Sequence, residues 1–507
     1  MQPAVYGTDG MVVSGHPLAT AAGWSVLTEG GSAADAVVAA AAVLTVALPQ
    51  AVSIGGDGVA LVYDAAQGRV HALNATGYAP EASSLETLSR QDLLVGPRSA
   101  TVPGLVAGWG TLHERFGRLP WRRLLEPSVR AAARGVPTSR AFASTLVEYR
   151  AQLEAEPSLS ALFLPGGAPA PEGAIIRQEA LAATLDEITL KGAGAYYSGR
   201  IAQALAAVIR HRGGLLTEQD LATFKPEWVE PIATRFRGHT VHAVPPNSYG
   251  ILLLLQLKVL EELGAEFEAA PLGSAERLKH LIGAAKAAFQ ASQHRIADPR
   301  FSAVPTSELL NRPLVPDAAP KTATDRGGTA VVSVIDRHGN GVTLVQSVFT
   351  LFGSFVHDPA TGILLNNRMR GFSTDPHSPN VLAGGKRPAH TLSPAMILKD
   401  GRIRFLLGTP GGPGQTITLA QVISNRLVHE MPITQAIGEP RWSLDLDGNI
   451  LVEHGIDRPA LGALGIDTTL AASTSPFFGS AEAIEVLANG VFCGAADFRR
   501  EALVLGA

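Results

Sequence analysis

The sequence predicts an α+β protein, and three observations carry that expectation. Residues 11–75 alternate in type, residues 105–300 carry mostly helical patterns, and from Thr329 onward the chain turns to strand-like runs. In the first region "MVV" reads as a short strand, followed by a helix from about Pro17 to Glu29 that Gly30-Gly31 stops. Ser32 then stands as an N-cap with Asp35 three residues on, an acidic form of the capping box. The apolar run Ala36–Leu48 ends at Pro49 and is well short of the ~20 residues that span a bilayer. It reads as a buried alanine-rich helix. "GVALVYDAAQGRVHALN" follows as a hairpin, with β-branched and aromatic residues on either side of Ala65-Gln67-Gly68.

In the middle region "LPWRRLLEPSVRAAARG" and "LTEQDLATF" have helical patterns. "ILLLLQLKVLEELG" is apolar nearly all round in its first two turns, as a buried helix is. Residues 303–328 are polar, rich in Pro, Thr, Asp and Gly, and aperiodic, which predicts a mobile segment. Past the strands that start at Thr329, a helix is expected near Thr416–Val428. No internal repeat is visible.

Composition narrows the function. The chain has 507 residues, 46% of them hydrophobic and 17% charged, with a net charge of −4. That suits a globular protein with a large core and gives no basic footprint for nucleic acid. The single cysteine, Cys493, excludes an intrachain disulfide framework and a cysteine metal cluster. The first residues lack the charged and apolar regions of a signal peptide. A cytoplasmic protein without membrane or nucleic-acid partners is expected. "GTPGGPG" (408–414) lacks the lysine of a phosphate loop, and no strand-GxGxxG-helix unit, GxSxG, HExxH or CxxC occurs.

The most informative stretch is "DRGGTAVVSVIDRHGNGVTLVQS". Thr329–Asp336 and Val342–Val348 read as a hairpin around "RHGNG". A three-residue loop, Arg337-His338-Gly339, sets Asp336 opposite Asn340 and Thr329 opposite Ser347; a loop one residue longer sets Thr329 opposite Val348. In the first register Ser347 can donate a hydrogen bond to the Thr329 side chain. A threonine hydroxyl is a weak nucleophile unless a base adjoins it. A free α-amine on the same residue is such a base, with a reference pKa of ~7.7–8.0. That chemistry requires cleavage of the Gly328–Thr329 bond, and the two glycines would let the backbone take the strained geometry of self-cleavage. The plain alternative is a strand threonine after a glycine turn.

"GGTAVVSVIDRHGNGV" resembles the processing-site segment of the γ-glutamyltranspeptidases, which are N-terminal-nucleophile hydrolases. The resemblance spans nearly the whole chain, through "GGSAADAVVAAAAVL", "SIGGDG", "TVPGLVAGW", "GGLLTEQDLATF", "PPNSYG", "GILLNNRMRGFS", "KRPAHTLSPAMIL" and "GTPGG". It implies a four-layer αββα sandwich, made as a proenzyme that cuts itself into a large chain, 1–328, and a small chain, 329–507. The two would form one structural domain and a heterodimer, and further dimerisation is left open. By family position Thr329 is the nucleophile and its α-amine the base. Ser347 takes the place of a threonine that hydrogen-bonds the nucleophile, and Gly411 and Gly412 that of the oxyanion-hole glycines. No metal or organic cofactor is implied.

The acyl-binding positions depart from the γ-glutamyl pattern. The arginine that pairs with the substrate α-carboxylate corresponds loosely to Thr76, and an asparagine to Phe349. A glutamine and the amine-binding aspartate become Arg368 and Gly371, with Arg370 between them, and two serines become His390 and Thr391. Gly371 cannot offer a carboxylate to an ammonium. Arg368, Arg370 and His390 would add positive potential and donors, arginine being suited to bidentate carboxylate binding. The alternatives are a surface charge or structural ion pair for each arginine and a packed side chain for His390. "SIGGDG", with Asp57, looks more like the oxamate amidohydrolase and acylase branch than the transpeptidases. The expected substrate is a small linear amide whose acyl part bears a carboxylate and no ammonium. Other readings are a γ-glutamyl hydrolase or transferase with a different binding set, and an uncut, non-catalytic binding homologue.

Overall fold

A computed structural model describes residues 3–292, 295–314, 327–445 and 447–507. In chain order the main strands are β1 (Val5–Gly7), β2 (Gly10–Ser14), β3 (Asp57–Asp64), β4 (Arg69–Ala75), β5 (Glu227–Val229), β6 (Ile232–Phe236) and β7 (His239–Ala243). After residue 326 come β8 (Gly327–Asp336), β9 (Gly341–Thr350), β10 (Ala395–Lys399), β11 (Arg402–Gly408), β12 (Glu482–Val486), β13 (Phe492–Ala496) and β14 (Leu503–Gly506). They form two antiparallel seven-stranded sheets, ordered β14-β2-β8-β9-β3-β4-β5 and β1-β13-β12-β11-β10-β7-β6. Each sheet mixes strands from before and after residue 328.

Period-two alternation sorts the strand residues into layers. Met11, Val13, Val331, Ile335 and Val345 of the first sheet meet Met396, Leu406 and Ile484 of the second in a core between the sheets. Ala330, Val332 and Val334 point the other way, against the helices α1 (Pro17–Thr28) and α2 (Ala33–Ala47). On the far side of the second sheet, Val241, Ile397, Phe405 and Leu407 pack under α3 (Gly250–Leu263), α4 (Ala275–Ser292) and α5 (Gln415–Val428). The result is the four-layer αββα sandwich that the family resemblance implied. The sheets approach closely near Thr329: a Cβ placed on Gly408 would lie 2.5 Å from Val331.

The early elements follow the sequence pattern. Every residue of α2 is buried, and its capping box forms, with Ser32 Oγ accepting from the Asp35 N–H. Asp35 Oδ2 in turn accepts N–H bonds from Ser32 (2.9 Å), Arg118 (2.8 Å) and Leu119 (3.1 Å). The middle region is less helical than its pattern suggests. "EPIATRFRGHTVHA" folds as β6 and β7 around Arg237 and Gly238, both at positive φ. Val241 and Ala243 alternate inward in β7 while Thr240 and His242 are only part-buried, a short period-two signal hidden between helices. In the segment expected to be mobile, Thr306–Asn311 forms a short helix, and residues 315–326 lie outside the described residues. Among the described residues no helix is long and apolar enough to cross a membrane.

Asp35→Ala removes the acceptor of three N–H groups in one step. Each unsatisfied buried donor costs ~1–3 kcal/mol, so a loss of about 3 kcal/mol or more is expected, read from the denaturant midpoint at unchanged m-value.

Candidate active site

The hairpin β8–β9 carries Thr329 on the face that looks between the sheets. Its turn is built on Asp336, whose Oδ1 accepts the N–H groups of His338 (2.9 Å) and Asn340 (3.1 Å). The Asp336 N–H donates to the Asn340 carbonyl at 3.0 Å. This is the three-residue loop, and it sets Thr329 opposite Ser347. Beyond that pair the register shifts by one, so that Gly328 lies opposite Phe349 and Val348 bulges out. Both registers open to the sequence therefore occur, one on each side of the bulge.

The bulge creates a local chain of hydroxyl contacts. Thr329 Oγ1 donates to Ser347 Oγ at 3.2 Å. Ser347 Oγ donates in turn, in a short bond, to the Gly328 carbonyl oxygen. The Phe349 N–H donates to Ser347 Oγ at 2.7 Å and fixes that hydroxyl. Thr329 and Ser347 are both buried. One hydroxyl thus contacts both the Thr329 hydroxyl and the carbonyl joined to the Thr329 nitrogen.

The glycines around this carbonyl answer to space. Neither Gly327 nor Gly328 has positive φ, so the expected strained geometry is not what selects them. A Cβ on Gly327 would lie 2.7 Å from the Gly412 nitrogen, and one on Gly328 would lie 3.0 Å from Ala51 Cα. Gly327-Gly328 is threaded between the Gly411–Gly412 turn and the residues after α2. Positive φ belongs instead to Gly411 (128°) and Gly412 (56°), at the entry to α5. That turn is fixed by Thr409, whose Oγ1 accepts the Ser480 N–H at 3.0 Å and donates to the Pro410 carbonyl at 2.9 Å. Backbone N–H groups at a helix start favour a developing negative charge.

One strand further along the first sheet, Asp57 lies opposite Ser347. Its carboxylate is fully buried and holds two partners. Arg368 Nη2 donates to Oδ1 at 3.0 Å, and His390 Nε2 donates to Oδ2 at 2.7 Å. The Arg368 guanidinium sits 4.4 Å over the Phe349 ring. His390 Nδ1 accepts the Leu392 N–H, so the ring proton resides on Nε2. Burial, with Arg368 adding to it, pushes the His390 pKa down to about 4. Burial would push the Asp57 carboxyl up, but Arg368 and His390 outweigh it and hold it below its ordinary value. This corrects the expected charge: His390 is neutral at pH 7, and Arg368 is a structural ion pair whose charge Asp57 cancels.

The remaining acyl positions gather around this cluster. Thr76 bears no charge; its Oγ1 donates to Asn74 Oδ1 at 2.7 Å and accepts from Asn247 Nδ2 at 3.3 Å. Its carbonyl accepts from Arg387 Nε at 3.0 Å, which brings a buried arginine to the place where the sequence showed none. A Cβ on Gly371 would lie 2.7 Å from the Ala389 carbonyl, so this position has no room for an aspartate. Arg370 is half-buried, and its carbonyl accepts from Arg90 Nη1 at 3.0 Å. Thr391 is buried, its carbonyl accepting from Ser393 Oγ at 3.1 Å. The partnership of Asp57 with Arg368 and His390 escaped the sequence, where "SIGGDG" served only as a likeness to the acylase branch. A cavity of about 730 Å3 beside Trp121, Tyr197 and Phe224 lies in the helical layer and is lined by none of Thr329, Ser347, Asp57, Arg368 or His390.

Fold and site together define a class: a two-sheet sandwich of the N-terminal-nucleophile hydrolase type. The chain superposes on a crystal structure of cephalosporin acylase from Bacillus halodurans with a TM-score of 0.92 and 30% identity, covering 100% of this chain and 97% of that one. The gamma-glutamyltranspeptidase family model matches residues 19–507, and the chain belongs to the γ-glutamyltranspeptidase family. It is 34% identical over 528 residues to the glutathione hydrolase-like YwrD proenzyme of Bacillus subtilis, covering 100% of both. It is 32% identical to the oxamate amidohydrolase proenzyme of Klebsiella pneumoniae, covering 98% of each. It is an amide-hydrolysing enzyme.

Two measurements test this geometry. Histidine NMR should find His390 neutral and protonated on Nε2 at pH 7, titrating far below the ordinary ~6.5. Because the folded chain binds that proton less readily than the unfolded one, His390 favours folding above pH ~6.5 and loses that contribution as pH falls toward 4. Gly327→Ala should displace the Gly328 carbonyl from Ser347 and slow any cleavage of the following bond by ~10²-fold, timed by gel.

Proposed function

We propose that the chain is a self-processing amidohydrolase with Thr329 as its nucleophile. The observation that carries this is the path from Thr329 Oγ1 through Ser347 Oγ to the Gly328 carbonyl. In the uncut chain Thr329 Oγ1 attacks the Gly328 carbonyl carbon. Its proton passes to Ser347, whose own proton moves to the carbonyl oxygen. The C–N bond breaks, the nitrogen takes a proton, and an ester joins Gly328 to Thr329. Water hydrolyses that ester, leaving chains 1–328 and 329–507 and a free amine on Thr329.

In the mature enzyme that amine takes the Thr329 hydroxyl proton as Oγ1 attacks a substrate amide. The N–H groups of Gly411 and Gly412 receive the oxyanion, a role in which one donor is worth ~10²–10³ in rate. The leaving amine takes the proton, and water releases the acyl group as a carboxylic acid. Phe349, opposite Gly328, and Arg368 above it flank the space the acyl group takes. The acyl group bears an acceptor, best a carboxylate, and no ammonium. Asp57 is spent on Arg368 and His390, Gly371 has no room for a side chain, and Arg368 Nε and Nη1 have no partner among the described residues. Oxamate and dicarboxylic monoamides are the substrates of choice.

Intact mass should find two chains in the wild type, the smaller beginning at Thr329, and one uncut chain in Thr329→Ala. Turnover of oxamate or a dicarboxylic monoamide should exceed that of a γ-glutamyl anilide and fall at least ~10³-fold in Thr329→Ala. A single intact chain with full activity, or equal activity in the variant, defeats the assignment.

A further inference from the structure

Arg368 uses fewer donors than it has. Nη2 is bonded to Asp57, while Nε and Nη1 have no partner among the described residues although the side chain is fully buried. An unpaired buried donor costs ~1–3 kcal/mol, so two on one side chain point to a ligand that fills them. Their place is fixed. The guanidinium lies over Phe349, Phe349 lies opposite Gly328, and the Phe349 N–H holds Ser347.

The charge around these donors sets a condition on the ligand. Arg368 is positive, Asp57 negative and His390 neutral, so the unit has no net charge. A carboxylate on Nε and Nη1 would be the second carboxylate on one guanidinium. Two carboxylates sharing a buried site do not both stay ionised without a further positive charge. His390 can supply it, because its Nε2–H already points at Asp57 and its Nδ1 is occupied only by the weak 3.3 Å bond from the Leu392 N–H. The charged groups acting on His390 are Arg368, Asp57 and Arg387, and those acting on Asp57 are Arg368 and His390. A bound anion cancels the field of Arg368, which after burial is what keeps His390 unprotonated.

We propose that an acyl carboxylate held by the open donors of Arg368 brings one proton onto the Asp57–His390 pair, and that Asp57 thereby sets how readily a charged acyl group is accepted. This deepens the proposed function and rests on Thr329 delivering the acyl group beside Phe349. The step is a proton taken from solvent, with no bond made or broken on carbon. A neutral acyl group, such as the methyl ester of the same acid, binds without it.

The test uses the self-cleaved enzyme with glutaric acid mono-p-nitroanilide and its methyl ester between pH 5 and 9. Both share the Thr329 amine and the leaving group, so their difference isolates the acyl carboxylate. KM for the acid should rise about tenfold per pH unit over at least one unit, while KM for the ester stays flat. Calorimetry with glutarate in buffers of different ionisation enthalpy should count close to one proton taken up per site on the alkaline side. Asp57→Asn should lower KM for the acid and flatten its profile; His390→Gln should flatten it at a high KM. If Asp57→Asn does not fold, Asp57→Asn with Arg368→Met keeps the cluster neutral and should lose the preference between acid and ester. Parallel pH profiles for the two substrates, or glutarate binding with no proton uptake, overturn the proposal while leaving self-cleavage and turnover intact. An enzyme that is cut and turns over the ester but neither hydrolyses the acid nor binds glutarate overturns it as well. An uncut, inert chain defeats the nucleophile assignment instead.

Discussion

The close passage of Gly327-Gly328 along the Gly411–Gly412 turn is the constraint on which the rest of the site depends. Two backbones meet there with no side chain between them, because a methyl group on Gly327 would sit 2.7 Å from the Gly412 nitrogen. That contact joins the two sheets: Gly327 opens β8 of one, and Gly411 follows β11 of the other. It leaves the Gly328 carbonyl bonded to Ser347 and sets the turn that leads into α5 against Gly327. Core packing between the sheets, with Gly408 against Val331, holds the approach in place.

The second organising element is electrostatic. A buried ion pair gains little over well-packed apolar residues, but breaking one is costly, by ~3–5 kcal/mol. Asp57–Arg368 is therefore better understood as a device for orientation than as a source of stability. One amino group of the arginine is tethered, the aromatic face of Phe349 supports the guanidinium, and a histidine of fixed tautomer completes the carboxylate's shell. Asp57 opens β3, Arg368 starts the short turn Arg368–Gly371 and His390 lies just before β10, so the three are distant in sequence and only the folded sandwich joins them.

Much of the fold was legible because its signals are local. The Ser32–Asp35 capping box, the apolar run of α2 and the loop chemistry of Asp336 and Gly339 each act over a few residues. That loop narrowed the hairpin to two registers, one of which makes the Thr329–Ser347 contact. β6 and β7 were missed, since five-residue strands between long helices carry too little periodicity to stand out. At the site, the identity of the residues could be read but their pairing could not. Arg368 and His390 read as added positive charge because nothing in a one-dimensional sequence shows that Asp57 lies against both. The glycines before Thr329 suggested conformational freedom, whereas the structure assigns Gly327 to a steric fit with Gly412 and Gly328 to one with Ala51, both remote in sequence.

The pairing of β2 with β8 runs from Val332 to Asp336 only. Thr329 lies beyond its end, so it is bordered by β9 on one flank and by no strand on the other. A chain terminus created at Thr329 would thus be anchored through its own strand to a neighbour on each side while its first residues face an unzipped notch in the sheet. Such an arrangement divides the strand in two: Val332–Asp336 is gripped on both flanks, whereas Thr329–Val331 is held within the sheet by β9 alone.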